Sequence, residues 1–220
     1  MAMMNAWNSV ARRRLLKTAA FGSLAAFIPL RFGNAQSAPS SQHDLLKAMP
    51  NEITADEMRA LLRLDPHPTC GFVRETYRSP DRIAPGGLPA PFADGRPLGS
   101  ALYFMVTPER HVHLHRIRND QLYHYYLGDP LELLMLRTDG TSEKVVVGPD
   151  LRNGQHVQLL IPGNTFHTAR IVGARRWFLG ASTEWPGVEP SDVELGNLEV
   201  LASKYPQAAA ELRAIASNRT

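Results

Sequence analysis

An all-β fold, a sandwich or barrel of antiparallel strands with short helices at its two ends, is what the sequence predicts, and three observations predict it. Nine short runs of β-type composition follow one another at near-regular spacing, at 71–77, 100–107, 111–117, 122–127, 131–137, 144–147, 156–161, 168–172 and 177–182. Gly, Pro and Asp separate them, with hairpin-forming pairs at Asp139-Gly140 and Asn153-Gly154. Helical patterns do not alternate with these runs as they would in a βαβ sheet.

The elements follow in order. Residues 1–35 carry a charged stretch, Arg12-Arg13-Arg14-Leu15-Leu16-Lys17, then an apolar run at 18–30, then Phe32-Gly33-Asn34-Ala35. That order is a signal peptide, with cleavage expected after Ala35. The pattern Arg-Arg-x-Leu-Leu-Lys resembles a twin-arginine export signal, which implies a periplasmic or otherwise exported protein that folds before it crosses, often around a cofactor. An ordinary secretory signal would also lead out of the cytoplasm. The 13-residue apolar run is short of the ~20 residues a spanning helix needs, so no permanent membrane anchor is expected. Residues 36–52 form a polar linker. Thr54-Ala55-Asp56-Glu57 is a capping box, and Met58, Leu61 and Leu62 continue one apolar face, so a short helix opens the folded domain. The segment 80–99, rich in Pro and Gly, is expected to be a long loop. After the last β-run, Leu198, Leu201, Leu212 and Ile215 return to helical spacing, broken at Pro206, leaving 206–220 as a C-terminal helix.

Charge narrows the partners. The chain has 24 basic and 21 acidic residues, but five of the basic ones, and none of the acids, lie in the first 35. The remainder holds 19 basic against 21 acidic residues, and a net negative domain without a basic, aromatic-interleaved stripe gives no reason to bind nucleic acid. Cys70, the single cysteine, has no internal disulfide partner and reads as a small buried hydrophobe rather than a nucleophile. Neither a nucleophile elbow nor a Gly-rich phosphate loop occurs.

The histidines stand out. His111, His113, His115 and His124 fall within fourteen positions. On a regular strand His111, His113 and His115 share a face, and two imidazoles two positions apart can reach one cation. His167, beyond the Pro162-Gly163-Asn164-Thr165-Phe166 turn, is the candidate third donor from a distant strand. His111 sits near the start of its strand and is expected to face solvent; His124 lies opposite Gln121, Tyr123 and Tyr125 and is expected to pack. Tyr123 and Tyr125 are candidates to line a pocket beside Gln121, or to be core. Arg74, Glu75 and Tyr77 are candidates to orient a polar ligand, or to form a solvated strand.

His113-Leu114-His115, followed by Gln121 and Gly128, resembles the first motif of the cupins, and Pro162 through His167 resembles the second. The stretches Gly71-Phe72-Val73-Arg74-Glu75-Thr76-Tyr77-Arg78-Ser79 and Gly128-Asp129-Pro130-Leu131-Glu132-Leu133 are similar to cupin family 5, the DUF985 group, over about 61–205. The resemblance implies a double-stranded β-helix, a jelly-roll barrel occupying 53–205, often homodimeric, with a metal or small ligand held inside. Two positions depart from the wider pattern: Gln121 stands where an acid is usual, and Asn164 where a turn glycine is usual. The expected metal set is His113, His115 and His167, with Gln121. Imidazole donors without an anion suit Zn, Fe, Mn, Ni or Cu better than Mg or Ca. The expected ligand contacts are Gln121, Tyr123, Tyr125 and Arg74. Two functions fit: a metal-dependent enzyme acting on a small carbohydrate- or carboxylate-like molecule, and a non-catalytic cupin binding a small molecule without metal.

Overall fold

The computed structural model describes residues 53–173 and 176–217, so the leader and the linker expected over 1–52 lie outside the described residues. The all-β expectation holds. Helix α1 (Ala55–Leu62) is followed by thirteen strands: β1 (Asp65–Pro66), β2 (Phe72–Arg78), β3 (Arg82–Ile83), β4 (Arg96–Pro97), β5 (Ser100–Val106), β6 (Val112–Ile117), β7 (Gln121–Gly128), β8 (Leu131–Leu136), β9 (Ser142–Val147), β10 (Gln158–Ile161), β11 (Phe166–Ile171), β12 (Phe178–Glu184) and β13 (Val193–Leu195). Helices α2 (Leu198–Lys204) and α3 (Ala209–Ser217) close the described chain, separated at Pro206 by a 3₁₀ turn. All nine predicted β-runs are strands. The loop at 80–99 carries a small hairpin, β3 with β4.

Two antiparallel sheets form the barrel walls, one ordered β1-β2-β5-β12-β7-β10 and the other β13-β6-β11-β8-β9. Bridges from Cys70 to Val112 and from Val147 to His156 join their margins. Between the sheets lies the main core, including Phe104, Val112, Leu133, Val147, Ala169 and Phe178, all fully or nearly fully buried. Alternation explains which residues these are: through the core the inward strand positions are apolar, and the polar inward ones gather towards one end of the barrel.

Helices cover both outer faces. Met58 of α1 packs with Leu64, Phe72, Met105, Trp177 and Leu179 on the first sheet. The predicted capping box starts α1: Glu57 N–H donates to Thr54 Oγ1 at 3.2 Å, and Thr54 N–H to Glu57 Oε2 at 2.8 Å. On the second sheet Leu134 and Leu136 meet Leu201, Tyr205, Leu212 and Ile215 of the C-terminal helices. The hydrophobic periodicity of 198–215 is the imprint of this face. Among the described residues no helix is long and apolar enough to cross a membrane.

Candidate functional site

The barrel encloses a cavity of about 390 Å³ opening between β2, β5, β12 and the 3₁₀ turn at Pro190–Asp192. Its polar wall is set by cross-strand pairing. On β12 and β7, Glu184 lies opposite Gln121 and Ser182 opposite Tyr123, while on the other side of β12 Glu184 lies opposite Ser100 of β5. The side chains of opposed residues project to the same face, so this register gathers four polar groups and a phenol at one end of the cavity.

Glu184 is the centre of that group. Its carboxylate accepts from Ser100 Oγ at 2.7 Å and from Ser182 Oγ. Ser100 Oγ accepts in turn from Val188 N–H at 3.1 Å, and Gln121 Nε2 reaches Ser182 Oγ at 3.5 Å. Burial pushes the Glu184 carboxyl above the ordinary carboxylate range, more than the two serine hydroxyls pull it down.

The imidazole pair is built differently. His115 and His167 are opposed on β6 and β11, with ring centroids 4.4 Å apart. His115 Nδ1 lies 2.8 Å from the His113 carbonyl and His167 Nδ1 lies 3.2 Å from that of Thr165. A carbonyl can only accept, so both rings carry their proton on Nδ1. The lone pair of His167 Nε2 therefore accepts from Tyr123 O–H, at 3.2 Å, and His115 keeps its Nε2 lone pair at the cavity wall. Burial lowers the His115 pKa from 6.5 to about 4, and lowers that of His167 well below its ordinary value, with repulsion from His115 adding to the effect. Burial likewise holds Tyr123 protonated.

Not every predicted site residue arrives here. Strict alternation would put His113 and His115 on one face, but they do not share one. His167 pairs with His115 and Ala169 with Val112, so β6 spends three residues where β11 spends two. This bulge resets the alternation. His115 turns in with Val112, whereas His113 turns out, its ring 4.9 Å from that of His111, beside a separate cavity under the C-terminal helices. His111, expected at the solvent, is buried there. Arg74 is also outward, its guanidinium donating to the Leu62 carbonyl at 3.2 Å. Tyr125 packs on Phe178 and donates to the Gly128 carbonyl, away from the cavity. Gln121 and Tyr123 do line it.

A second bulge supplies what Arg74 does not. Glu75 pairs with Leu102 but Tyr77 with Ala101, so β2 carries an extra residue. Tyr77 is consequently exposed, and Arg78 turns to the cavity wall beside Glu75. Sequence reasoning misses Arg78, Ser100 and Ser182, and gives Glu184 no role. The spacing of Ser182 and Glu184, two apart at the end of the last run, is the available signal.

Cys70 lies in the cavity floor, buried and free, its thiol pushed up to about 11 by burial. The turn before His167 is shaped by Gly163, where a Cβ would meet the Arg118 carbonyl oxygen at 2.3 Å, and by Asn164, whose φ of 64° is the left-handed conformation for which glycine is usual.

The donor set falls short of the expected metal. The Nδ1 bonds of His115 and His167 are of the kind that orients metal-bound imidazoles. However, His167 Nε2 is taken by Tyr123, Gln121 is a neutral amide turned to Ser182, and His113 is on the other side of the sheet. Among the described residues no three His, Cys, Asp or Glu side chains are placed to hold one ion. A closed three-ligand transition-metal site does not fit these residues.

Comparisons with known proteins give the family. The model of the cupin superfamily (DUF985) matches residues 56–196. A hypothetical protein from Leishmania major is 27% identical, with a TM-score of 0.67 over 74% of this chain and 98% of its own. Protein SO0799 from Shewanella oneidensis is also 27% identical, with a TM-score of 0.65 over 74% of this chain and 96% of its own. No curated protein matches. The barrel, its two motif turns and the match over most of the folded domain agree: the chain belongs to the DUF985 family of the cupin superfamily.

Proposed function

We propose that the barrel cavity binds a small polar molecule bearing hydroxyl or carbonyl groups and moves a proton on it, using the protein's own side chains. One observation carries this reading. A neutral imidazole, His115, with an Nε2 lone pair, and a buried carboxyl, Glu184, with raised proton affinity, line the same cavity. Two titratable groups whose proton affinities are both shifted by burial within one cavity are candidates for acid–base work. Burial keeps His115 unprotonated at neutral pH, its Nε2 lone pair available as an acceptor. Tyr123, its own proton donated to His167, and Gln121 are placed to orient the ligand. The reaction class that fits is isomerisation or epimerisation next to a carbonyl.

The test is binding and solvent-deuterium incorporation with chelator-treated protein, using dihydroxyacetone and D-xylose as probes. Incorporation that survives chelation and falls at least about 100-fold in His115→Ala supports the reading, since general acid–base residues contribute that much or more. Incorporation that appears only when Mn²⁺ or Zn²⁺ is restored would instead favour the metal-dependent enzyme. Binding without incorporation would favour the non-catalytic cupin.

Export is proposed on the leader motif alone. Fractionation of cells expressing the full chain, with Arg12→Lys plus Arg13→Lys as the control, tests it: the wild type is expected outside the cytoplasm and the variant within it.

A further inference from the structure

Resting on the reading of the cavity as a small-molecule site, we infer that it selects neutral, hydroxyl-rich molecules of the carbohydrate class and rejects carboxylates and phosphates. The reason is how charge is already distributed on its wall. Among the described residues that line the cavity, Arg78 is the sole Lys or Arg, against Glu75, Glu184 and Glu189.

Three of the five N–H donors of Arg78 are already engaged by the protein itself. Its Nε donates to both Glu75 oxygens, at 3.2 and 3.0 Å, and its Nη2 to Glu75 Oε2 at 2.7 Å. Its Nη1 donates to the Val188 carbonyl at 3.0 Å and lies 3.8 Å from Glu189. Glu189 is also held by Arg82, at 3.2 Å, from outside the cavity lining. The Nε–Nη2 edge, the fork that would clamp a carboxylate or phosphate bidentately, is thus closed on a carboxylate of the protein itself. An entering anion would have to displace Glu75, or sit unpaired beside Glu184 and Glu189, and leaving a charge unpaired in a partly buried site is costly.

What the wall does present is matched to hydroxyl groups. With the protons of Ser100 and Ser182 given to Glu184, that of Tyr123 to His167 and that of His115 Nδ1 to the His113 carbonyl, the wall presents mainly acceptors, with the second N–H of Gln121 as a donor. Hydroxyls can donate to such an acceptor-rich set, whereas an ionised carboxylate can only accept. Apolar side chains line the same cavity beside these groups, Val73, Leu102, Phe104 and Ile117 among them, and offer contact to the C–H face of a sugar ring. A volume of about 390 Å³ lies within the range of small-molecule pockets.

The experiment compares matched pairs that differ in one carboxylate. Affinities of the full chain for D-galactose and D-glucose are measured at neutral pH against D-galacturonate and D-glucuronate, by ligand-observed NMR titration. Each neutral sugar is expected to bind at least about tenfold more tightly than its uronate, a factor worth ~1.4 kcal/mol. Glu75→Gln combined with Glu189→Gln frees the Arg78 fork, and there the gap is expected to narrow to within about threefold by tighter uronate binding. Should that variant fail to fold by circular dichroism, the wild-type pairs decide alone. Uronates binding as tightly as the neutral sugars, or more so, would overturn the selectivity while leaving the small-molecule site intact. No binding by any of the four sugars would overturn the carbohydrate assignment, and a binding response from dihydroxyacetone in the same titration would show that the site itself still stands.

Discussion

Acidification should weaken the fold through His115, by an amount the structure sets. The His115 pKa falls from 6.5 to about 4 on burial. The unfolded chain therefore binds the proton more readily than the folded one. The stability this contributes is complete above about pH 6.5 and is lost as pH falls through 4. A tenfold difference in proton affinity between the two states corresponds to ~1.4 kcal/mol. Integrating between the two values gives about 2 kcal/mol lost by pH 5 and about 3 kcal/mol by pH 4 from this one side chain. His167 acts in the same direction. Glu184 acts in the opposite one: its carboxyl is raised by burial, so its contribution is present below 4.5 and is lost as pH rises through the folded value. Comparing wild type with His115→Gln leaves Glu184 common to both. The assay is urea unfolding at pH 7 and pH 5, followed by tryptophan fluorescence, with Trp177 buried in the folded state. Wild type should lose about 2 kcal/mol more than His115→Gln between the two conditions. Equal losses, within about 0.5 kcal/mol, would refute the assignment of His115 as a buried neutral imidazole.

Three further outcomes are expected. Arg96 is 2% exposed and donates to Asp192 through both Nε, at 3.1 Å, and Nη2, at 2.8 Å. Asp192→Ala should therefore cost about 3–5 kcal/mol in chemical denaturation, because the guanidinium stays buried with half its partners gone. At the turn before His167, Asn164→Gly should change stability by less than ~0.5 kcal/mol, whereas Asn164→Val should cost about 1–2 kcal/mol by forcing a β-branched residue to φ of 64°; equal costs measured by thermal unfolding would refute this. Cys70, its thiol raised from 9.0 to about 11, should react with a disulfide reagent near pH 8 at least about 100-fold more slowly in the native protein than in urea, from the lost thiolate fraction alone; comparable rates in the two states would contradict its burial.

Much of this molecule is legible in the chain. Alternating apolar positions and Gly, Pro and Asp breaks locate all nine principal strands, because each strand has one face on the core and one that is not. The capping box at Thr54 and Glu57 is local chemistry and needs no tertiary context. The site is less legible. Reading His113 with His115 assumes strict alternation along a strand, and a bulge in β6 breaks it; a bulge in β2 likewise brings Arg78 to the cavity wall, while Arg74, ahead of that bulge, faces out on the side opposite Val73 and Glu75. A bulge depends on how the partner strand pairs, which spacing along one chain does not record. Gln121 and Tyr123, near the start of β7, do reach the cavity, while Tyr125, further along the same strand, packs on Phe178 instead. Glu184 escapes such a reading because its importance comes from being opposed to both Ser100 and Gln121, positions far from it in sequence.

The place of β12 has a consequence for how the chain is made. This strand, Phe178–Glu184, is inserted between β5 and β7, both of which leave the ribosome well before it. Until it emerges, each of those earlier strands exposes an open backbone edge to neighbouring chains. The assembly of the cavity is therefore a late event of biosynthesis, slow by virtue of its long-range pairing. Nascent chains that stop short of residue 178 are the species that would need a chaperone.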